Sequence, residues 1–322
     1  MAVTKKYSQL AHQNILVTGG YGLVGSHLTE KLVNLKAKVI VPKRSHDPQS
    51  YFNFKKLGQK VVLVDGDIKD FKRVWDIVTK YEIDYIFHLA AQAIVDTAYY
   101  NPLETLETNI MGTANVLEAA RLYGKIKAIV VASSDKAYGK LNKVYEETDP
   151  LRGDHPYEVS KSAADLISQT YFKTYGLPVA VSRFGNIYGP GDLNFSRIIP
   201  DIIKSIITKK TLTVRSNGKF VRDYVYVKDV VIGYLDLATQ IEKCQGEAFN
   251  FSSDDMLSVV ELIRQAEKIL NSKVKYKIMN TAKNEIPFQS LSYKKARRIL
   301  GWRPQYNLKT ALPPTFRWYT LY

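Results

Sequence analysis

The chain has 322 residues, with 46 Lys and Arg against 31 Asp and Glu and a formal net charge of +15. The basic residues are spread through nearly every segment, which argues against nucleic acid and favours a solvated surface that attracts a small polyanionic substrate. A single cysteine, Cys244, excludes an intramolecular disulfide. The five histidines show no metal-ligand spacing, and no run of about 18 apolar residues predicts a membrane span. We expect a cytoplasmic protein that binds no metal, nucleic acid or membrane.

The first part of the chain alternates short apolar strands with helical segments. Strands are predicted at 15–17, 39–41, 61–64, 85–89, 128–132 and 179–181, and helices at 26–36, 71–81, 102–123 and 157–175. Alternation of this kind is typical of a doubly wound parallel sheet, the α/β Rossmann architecture. We therefore predict that residues 1–182 form a dinucleotide-binding domain.

The alternation breaks after Arg183, where Gly185, Gly189, Pro190 and Gly191 crowd into a loop. Beyond it, short strands at 212–214, 223–227, 248–251 and 274–278 mix with helices at 228–241, 259–270 and 293–300. We predict a smaller α/β substrate lobe, interleaved with the first domain and built from residues 183–220 and 253–322. The segment 221–252 is predicted to return to the first domain.

Three glycines, Gly19, Gly22 and Gly25, stand between the first strand and the helix that follows it. Glycines at this spacing permit a tight turn and a close approach of the backbone to a pyrophosphate, which the helix N-terminus stabilises. Asp67 is placed to accept a hydrogen bond from the adenine amine. The other cofactor candidates lie in the same turn or follow neighbouring strands: Tyr21, Leu23, Val24, Ile68, Leu89, Ala90 and Ala91.

The end of the second strand bears on the choice between NAD and NADP. An acid there binds the ribose 2′-hydroxyl of NAD, whereas a base accommodates the 2′-phosphate of NADP. The chain has no acid in this stretch before Asp47, and Arg44 with Ser45 stands in its place. This predicts NADP. The alternative is that both residues are merely exposed and that NAD binds without the acidic contact.

Polar groups suited to proton transfer follow the fifth strand and begin the next long helix. Ser134, Asp135 and Lys136 come after the strand at 128–132, and Tyr157 and Lys161 stand four positions apart on the helix. Residues at this spacing share a helix face, so the Lys161 ammonium can lie against the Tyr157 phenol and favour its phenolate. A tyrosine-lysine pair alone usually marks an exposed helix face. Because ligands bind at the ends of parallel strands, the full set favours a catalytic site that takes a proton from a hydroxyl.

With these segments assembled, the chain resembles the extended short-chain dehydrogenase/reductase superfamily along nearly its whole length. The matching stretches lie at 18–25, 88–92, 109–113, 157–161, 183–191, 222–224 and 300–302. The resemblance implies NAD(P) in the first lobe, in contact with Tyr157 and Lys161, and a nucleoside-diphosphate sugar in the second. Residues 134–136 are similar to the catalytic residues at the same place in nucleotide-sugar 4,6-dehydratases. Asp135 followed by Lys136 looks like the CDP-glucose 4,6-dehydratase branch of those enzymes. GDP- and UDP-linked sugars, including N-acetylglucosamine, stay open.

For such a dehydratase the resemblance implies a role for each residue. Tyr157, assisted by Ser134 and held by Lys161, would deprotonate the hydroxyl on carbon 4 while hydride leaves for the nicotinamide. Lys136, as a neutral amine, would remove the proton on carbon 5, and protonated Asp135 would protonate the departing hydroxyl of carbon 6. Hydride would then return to carbon 6 and yield a 4-keto-6-deoxy sugar. The alternative is that Asp135 and Lys136 form an ordinary surface ion pair.

Substrate contacts are predicted mainly in the second lobe. Arg197 and Arg222 are candidates for the diphosphate because guanidinium groups bind phosphate bidentately. Asn186 is expected to fix a substrate oxygen, as is Ser134 beside the reacting carbon. Late in the chain, Glu285 and Gln289 are weaker candidates for contacts with the sugar or ribose.

Two other functions stay open. A carbon-4 epimerase would use the same tyrosine, lysine and cofactor but would need no acid and base at 135 and 136, and a non-catalytic dinucleotide-binding protein would need none of the chemistry. The resemblance also implies a homodimer, in which the helices at 102–123 and 157–175 pack against their copies as a four-helix interface.

Overall fold

The computed structural model describes residues 6–45, 47–281 and 286–321. Its strands are β1 (Asn14–Thr18), β2 (Lys38–Lys43), β3 (Val62–Asp65), β4 (Tyr85–His88), β5 (Ala128–Ala132), β6 (Val144–Tyr145), β7 (Val179–Phe184), β8 (Asn186–Tyr188), β9 (Leu212–Val214), β10 (Val221–Tyr226), β11 (Ala248–Phe251), β12 (Met256–Ser258), β13 (Tyr276–Ile278) and β14 (Phe288–Leu291). Seven of them form a parallel sheet, called the large sheet, in the order β11-β7-β5-β4-β1-β2-β3. The predicted doubly wound α/β fold is confirmed.

The α-helices are α1 (Leu23–Asn34), α2 (Tyr51–Phe54), α3 (Phe71–Lys80), α4 (Val95–Tyr100), α5 (Pro102–Leu106), α6 (Gly112–Tyr123), α7 (Pro156–Tyr175), α8 (Ile198–Thr208), α9 (Val227–Thr239), α10 (Val259–Leu270), α11 (Lys294–Leu300) and α12 (Leu308–Leu321). A π-helical turn, Glu107–Met111, joins α5 to α6, so the helix predicted at 102–123 is continuous but locally widened. Ser258 and Glu261 form a capping box at the start of α10. Among the described residues, no helix is both long and apolar enough to cross a membrane.

The strands of the large sheet are predominantly apolar because helices cover both of its faces. In β1, Ile15 and Val17 pack in one core with residues of α1 and α9, whereas Leu16 packs in a second core with residues of α3 and α6. Side chains alternate between the two faces of a strand, so each face contributes to a separate layer. The carboxyl ends of the strands are thereby held in register along one edge.

A second, five-stranded sheet, called the small sheet, has the order β12-β10-β14-β6, with β8 also paired to β10. Strand β10 lies between the two cores, because Val225 packs in the core under the large sheet while Tyr224 and Tyr226 pack with α8, α10 and α12. The segment 221–252, which the sequence analysis assigns as one piece to the first domain, is therefore divided: β10 joins the small sheet and β11 the large one. Trp302, near the chain end, also packs in the large-sheet core, against Phe251.

A buried ion pair ties α7 to the large sheet. Arg183 in β7 donates from Nε to Asp165 Oδ2 at 2.7 Å and from Nη2 to Oδ1 at 2.9 Å, and both side chains are almost completely buried. The third donor, Nη1, bonds to the Tyr138 hydroxyl at 2.6 Å, and that hydroxyl donates to Asn250 Oδ1 at 2.8 Å. Removing one partner of a buried ion pair is strongly destabilising, because it leaves the other charge buried without compensation. The pair therefore fixes α7, the turn after β5 and strand β11 relative to one another.

We expect Arg183→Met to lower the free energy of unfolding by about 3–5 kcal/mol, because it leaves the Asp165 carboxylate buried without its charged partner. Urea unfolding followed by circular dichroism measures the change. The control is Lys143→Met, which removes the cation of the more exposed Lys143–Asp149 pair and should cost less than about 1 kcal/mol. Equal effects of the two substitutions would contradict the structural role of the buried pair.

Candidate active site

A cleft of about 1850 Å³ runs along the carboxyl ends of β1 to β5 and is closed on its other side by β8, β10 and the loop before α8. Except for Gln289, every site residue that the sequence analysis names within the described residues lines this cleft. Glu285 lies outside the described residues. The fold thus collects into one cavity residues that are spread from position 19 to position 222 of the chain.

The glycine turn forms one end of the cleft. Gly19 has a φ of +72°, and a Cβ atom there would lie 2.7 Å from the backbone nitrogen of Ala90. A Cβ on Gly25 would lie 2.1 Å from the carbonyl oxygen of Gly19. The turn can therefore pack against the first turn of α1 only without side chains at these positions. The free N–H groups at this helix start make a cradle for an anionic group such as a pyrophosphate.

A chain of hydrogen bonds behind the turn was not anticipated from the sequence. The Thr113 hydroxyl donates to the Asn109 carbonyl at 2.6 Å, so it accepts from Nε2 of His88 at 3.0 Å. Nδ1 of His88 then accepts from the Thr18 hydroxyl at 2.8 Å, which itself accepts from two backbone N–H groups after β4. Burial lowers the pKa of His88 to about 3, so the ring stays neutral. The network holds the ends of β1 and β4 together beside the cleft.

Arg44 and its partners form the edge of the cleft at the end of β2. Its Nη1 lies 3.2 Å from Oε1 of Glu104 on α5, and Oε2 of the same carboxylate lies 2.9 Å from Nζ of Lys69. Asp67 accepts from the backbone N–H of Lys69 at 2.9 Å. The carboxylate of Glu104 was missed in the sequence analysis because it is 60 positions away from Arg44 and only the fold brings the two together.

The acid of the proposed site is held at the end of β5. The Ser134 hydroxyl donates to Asp135 Oδ1 at 2.9 Å and accepts from the backbone N–H of Lys136 at 3.1 Å. Asp135 is only 5% exposed. Burial raises its pKa, and the charges of Lys136 and Arg222 and the Ser134 hydrogen bond oppose the rise. The shift favours the protonated carboxyl group, which is the form that can donate a proton.

The amine beside this acid is bound by a residue of the small sheet. Lys136 is half-buried, and its Nζ donates to Oε1 of Gln289 at 3.2 Å. Gln289 lies on β14, paired in register with Arg222 on β10. The sequence analysis suggested sugar or ribose as the contact of Gln289; in the structure its side chain reaches Lys136.

Tyr157 and Lys161 are both buried at the start of α7. Burial raises the pKa of Tyr157 to about 12, the Asp135 charge adds to the rise, and Arg197 and the nearby Ser134 hydroxyl oppose it. Nζ of Lys161 donates to the carbonyl of Ala132 at 2.8 Å, and burial lowers the pKa of this amine to about 8. Lys161 is not among the groups that shift the pKa of Tyr157, so the predicted help of this lysine for the phenolate stays a prediction, while desolvation favours the neutral phenol in this structure.

The opposite wall of the cleft supplies hydrogen-bond donors. Asn186 Nδ2 is buried and has no hydrogen-bond partner among the described residues. The exposed Arg197 stands at the start of α8 and contacts Asp192 Oδ2 at 3.2 Å through one nitrogen. Arg222 donates from Nη1 to the carbonyl of Val221 at 2.8 Å, which leaves other N–H groups for a ligand. An oxygen-rich, anionic ligand fits this wall.

A parallel doubly wound sheet, a glycine turn after its first strand and a buried tyrosine-lysine pair beside the end of its fifth strand define an extended short-chain dehydrogenase/reductase. The family model described as GDP-mannose 4,6 dehydratase matches residues 16–314. The chain belongs to this family, and the resemblance noted from the sequence motifs is confirmed.

Individual relatives include both dehydratases and epimerases. The CDP-glucose 4,6-dehydratase of Salmonella typhimurium is 28% identical over 327 residues, covering 95% of this chain and 90% of its own. A solved epimerase of Methanothermobacter thermautotrophicus superposes with a TM-score of 0.90 at 29% identity, covering 100% of this chain and 96% of that one. The dTDP-glucose 4,6-dehydratase of Streptomyces venezuelae, solved with NAD bound, has a TM-score of 0.86 at 28% identity over 96% and 97% of the two chains.

Proposed function

We propose that this protein is a nucleotide-sugar 4,6-dehydratase, which converts an NDP-hexose to the NDP-4-keto-6-deoxyhexose with NAD(P) bound in the cleft. The observation that carries the proposal is the buried Asp135 with Lys136 directly beside it, at the end of β5. Loss of water between carbons 5 and 6 needs an acid and a base, whereas interconversion of carbon-4 epimers needs neither. The cleft contains both groups next to the tyrosine and lysine that the two reactions share.

The residues at the glycine turn fit a dinucleotide. Their missing side chains leave a cradle at the start of α1. Asp67, which is expected at the adenine, and Lys161 line the same cavity. When bound, NAD⁺ supplies the hydride acceptor and a positive charge that favours the phenolate of Tyr157. That additional charge matters because burial holds the pKa of this phenol at about 12.

The chain's own groups then divide the proton transfers. Tyr157 takes the proton of the carbon-4 hydroxyl, and the Ser134 hydroxyl can turn its proton from Asp135 toward the phenolate to stabilise it once Asp135 is protonated. Lys136 removes the proton on carbon 5, made acidic by the new ketone. Asp135, protonated as its burial favours, gives its proton to the departing hydroxyl of carbon 6.

For the substrate, Arg197 and Arg222 are suited to the diphosphate, and the unpartnered amide of Asn186 is suited to a sugar oxygen. Glu285 keeps its predicted role as a further contact. CDP-glucose is the first substrate to test, because the Ser-Asp-Lys series resembles that branch and the relative from Salmonella typhimurium is a CDP-glucose 4,6-dehydratase. GDP- and UDP-linked sugars are the next candidates.

Carbon-4 epimerisation is the second candidate function. It is favoured by the similarity to the epimerase of Methanothermobacter thermautotrophicus, at a TM-score of 0.90. Tyr157 and Lys161 would serve either reaction, so the residues at 135 and 136 discriminate between the two.

We expect Asp135→Asn and Lys136→Met to stop the reaction halfway. Oxidation at carbon 4 needs neither residue, so substrate should still reduce the bound cofactor, while release of the 4-keto-6-deoxy product should fall by about 100-fold or more. Absorbance of the reduced nicotinamide and mass spectrometry of the sugar, which detects loss of water, measure the two steps. Tyr157→Phe is the matched control and should abolish both.

Dehydration at the wild-type rate by either variant would remove that residue from the mechanism. Interconversion of carbon-4 epimers by the wild-type protein, without loss of water from any tested nucleotide sugar, would replace the dehydratase with the epimerase.

We further propose that NAD is preferred over NADP. The sequence-based prediction of NADP rests on Arg44, but this guanidinium is paired with Glu104, which also binds Lys69. The Glu104 carboxylate pairs with both cations that would attract a 2′-phosphate, and its own negative charge repels such a phosphate. It thus takes the place of the acid that is missing at the end of β2.

Glu104→Gln should therefore tighten NADP binding relative to NAD by about two- to fivefold, the effect of an exposed ion pair. Titration of the purified protein with each cofactor, followed by calorimetry, measures the ratio. Glu107→Gln is the control, because this carboxylate lies on the same stretch, 3.8 Å from Lys69, and forms no ion pair with Arg44 among those of the described residues. Weaker NADP binding by Glu104→Gln would show instead that Glu104 orients Arg44 toward the phosphate.

We also propose a homodimer through the surface formed by α4 to α7. This surface exposes apolar side chains that a monomer would leave in water: Tyr99, Tyr100, Leu103, Met111, Leu122, Val159, Leu166 and Tyr175. Exposed apolar surface of this extent marks an interaction site, and the helices are those that the family resemblance places in a dimer interface.

Light scattering at micromolar concentration should give twice the chain mass of 36.6 kDa. Leu166→Asp combined with Met111→Asp should shift the protein to a monomer, because two charges would be buried in the interface without partners. Val62→Asp, at an exposed position on the edge strand β3, is the control and should leave the mass unchanged. A monomeric wild-type protein would reject the proposal.

A further inference from the structure

Lys136 is bound by a neutral group of the small sheet. Its Nζ donates to Oε1 of Gln289 at 3.2 Å, across 153 positions of the chain. Gln289 is 1% exposed, and its backbone is paired with β10 next to Arg222. Among the ion pairs of the described residues, none includes Lys136. The Lys136 amine is thus held in place by the dipole of the Gln289 side-chain amide.

The chemistry of the partner matters for a base. A lysine must lose a proton before it can take one from carbon, and a carboxylate partner would stabilise the ammonium form. An amide oxygen accepts an N–H from the charged and the neutral amine alike. Because it accepts rather than donates, it also leaves the lone pair of the neutral amine free to take a proton.

We propose that Gln289 is the positioning residue for Lys136: it aims the amine into the cleft and lets the amine change between its charged and neutral forms. The proposal rests on the dehydratase function proposed above. It gives the small sheet a part in the elimination, because Gln289 orients the base that follows β5, whereas the groups for oxidation at carbon 4 belong to the large sheet and α7. Strand β14 thus brings the residue that orients the base, beside the strand that carries Arg222.

A change at position 289 has to be distinguished from the effects of the other charged and titratable groups around the acid and the amine. These are Asp135 itself, Tyr145 on β6, Tyr157 on α7, and Arg222 and Asp223 on β10. Gln289 itself does not titrate. Placing a carboxylate there changes one charge in contact with the amine and leaves the others in position.

The test uses the purified full-length protein with NAD and the nucleotide sugar that the wild type dehydrates. In Gln289→Glu, substrate should still reduce the cofactor, but product release at neutral pH should fall at least tenfold. The rate should recover toward alkaline pH, with its pH profile displaced upward by about one unit, because the new carboxylate favours the ammonium. Entry of deuterium from heavy water at carbon 5 should slow in parallel. Gln289→Glu added to Lys136→Met should have no further effect on product release.

Gln289→Met, close in size but without an acceptor, should slow elimination at every pH without alkaline recovery. Gln289→Met also tests whether Gln289 positions Lys136 if Gln289→Glu does not fold. Ser290→Ala is the matched control on the same buried strand; the side chain at 290 interacts with Asp223, and the variant should keep the wild-type pH profile.

A wild-type pH profile and rate in Gln289→Glu or Gln289→Met would overturn the proposal. So would an equal loss of cofactor reduction and product release at all pH values, which is the result of a purely structural role. Failure of the dehydratase assignment looks different: the wild type itself would then release no dehydrated sugar.

Discussion

The arrangement of the cleft depends on one buried ion pair, Arg183 with Asp165. Asp165 lies one helical turn beyond Lys161, and the third donor of the guanidinium binds Tyr138, which closes the turn that begins at Asp135. Because both charges are removed from water, neither can move away without leaving the other unpaired. The pair therefore holds both segments that carry the candidate reacting groups: Asp165 belongs to α7 itself, and Arg183 binds the turn after β5 through Tyr138.

The same burial that makes this pair rigid also sets the protonation of the site. Desolvation raises the pKa of Asp135 and Tyr157 and lowers that of Lys161. For Asp135 this agrees with a proton donor. For Tyr157 it favours the neutral phenol, so a positive charge from a bound ligand would help this residue to act as the proposed base. Such a dependence would couple oxidation of the sugar to occupancy of the cofactor site.

Two halves of the chemistry are supported by two parts of the fold. The glycine turn, the His88 network and the start of α7 surround one end of the cleft and belong to the large sheet. Lys136 is reached instead by Gln289 from the small sheet. Strand β10, whose alternate side chains enter both cores, connects the two parts mechanically. A relative that only epimerises carbon 4 would require the first part of this arrangement and not the second.

The sequence by itself determined the parallel sheet and the glycine turn, and it predicted the candidate reacting residues, because these depend on local periodicity and on residue types at short spacing. It could not determine which side chains meet across the cleft. Glu104 reaches Arg44, and Gln289 reaches Lys136, only through the packing of elements that are distant along the chain. The direction in which the pKa of Tyr157 shifts likewise depends on the tertiary structure. Desolvation depends on everything packed around a group, whereas spacing on a helix reports only neighbours in sequence.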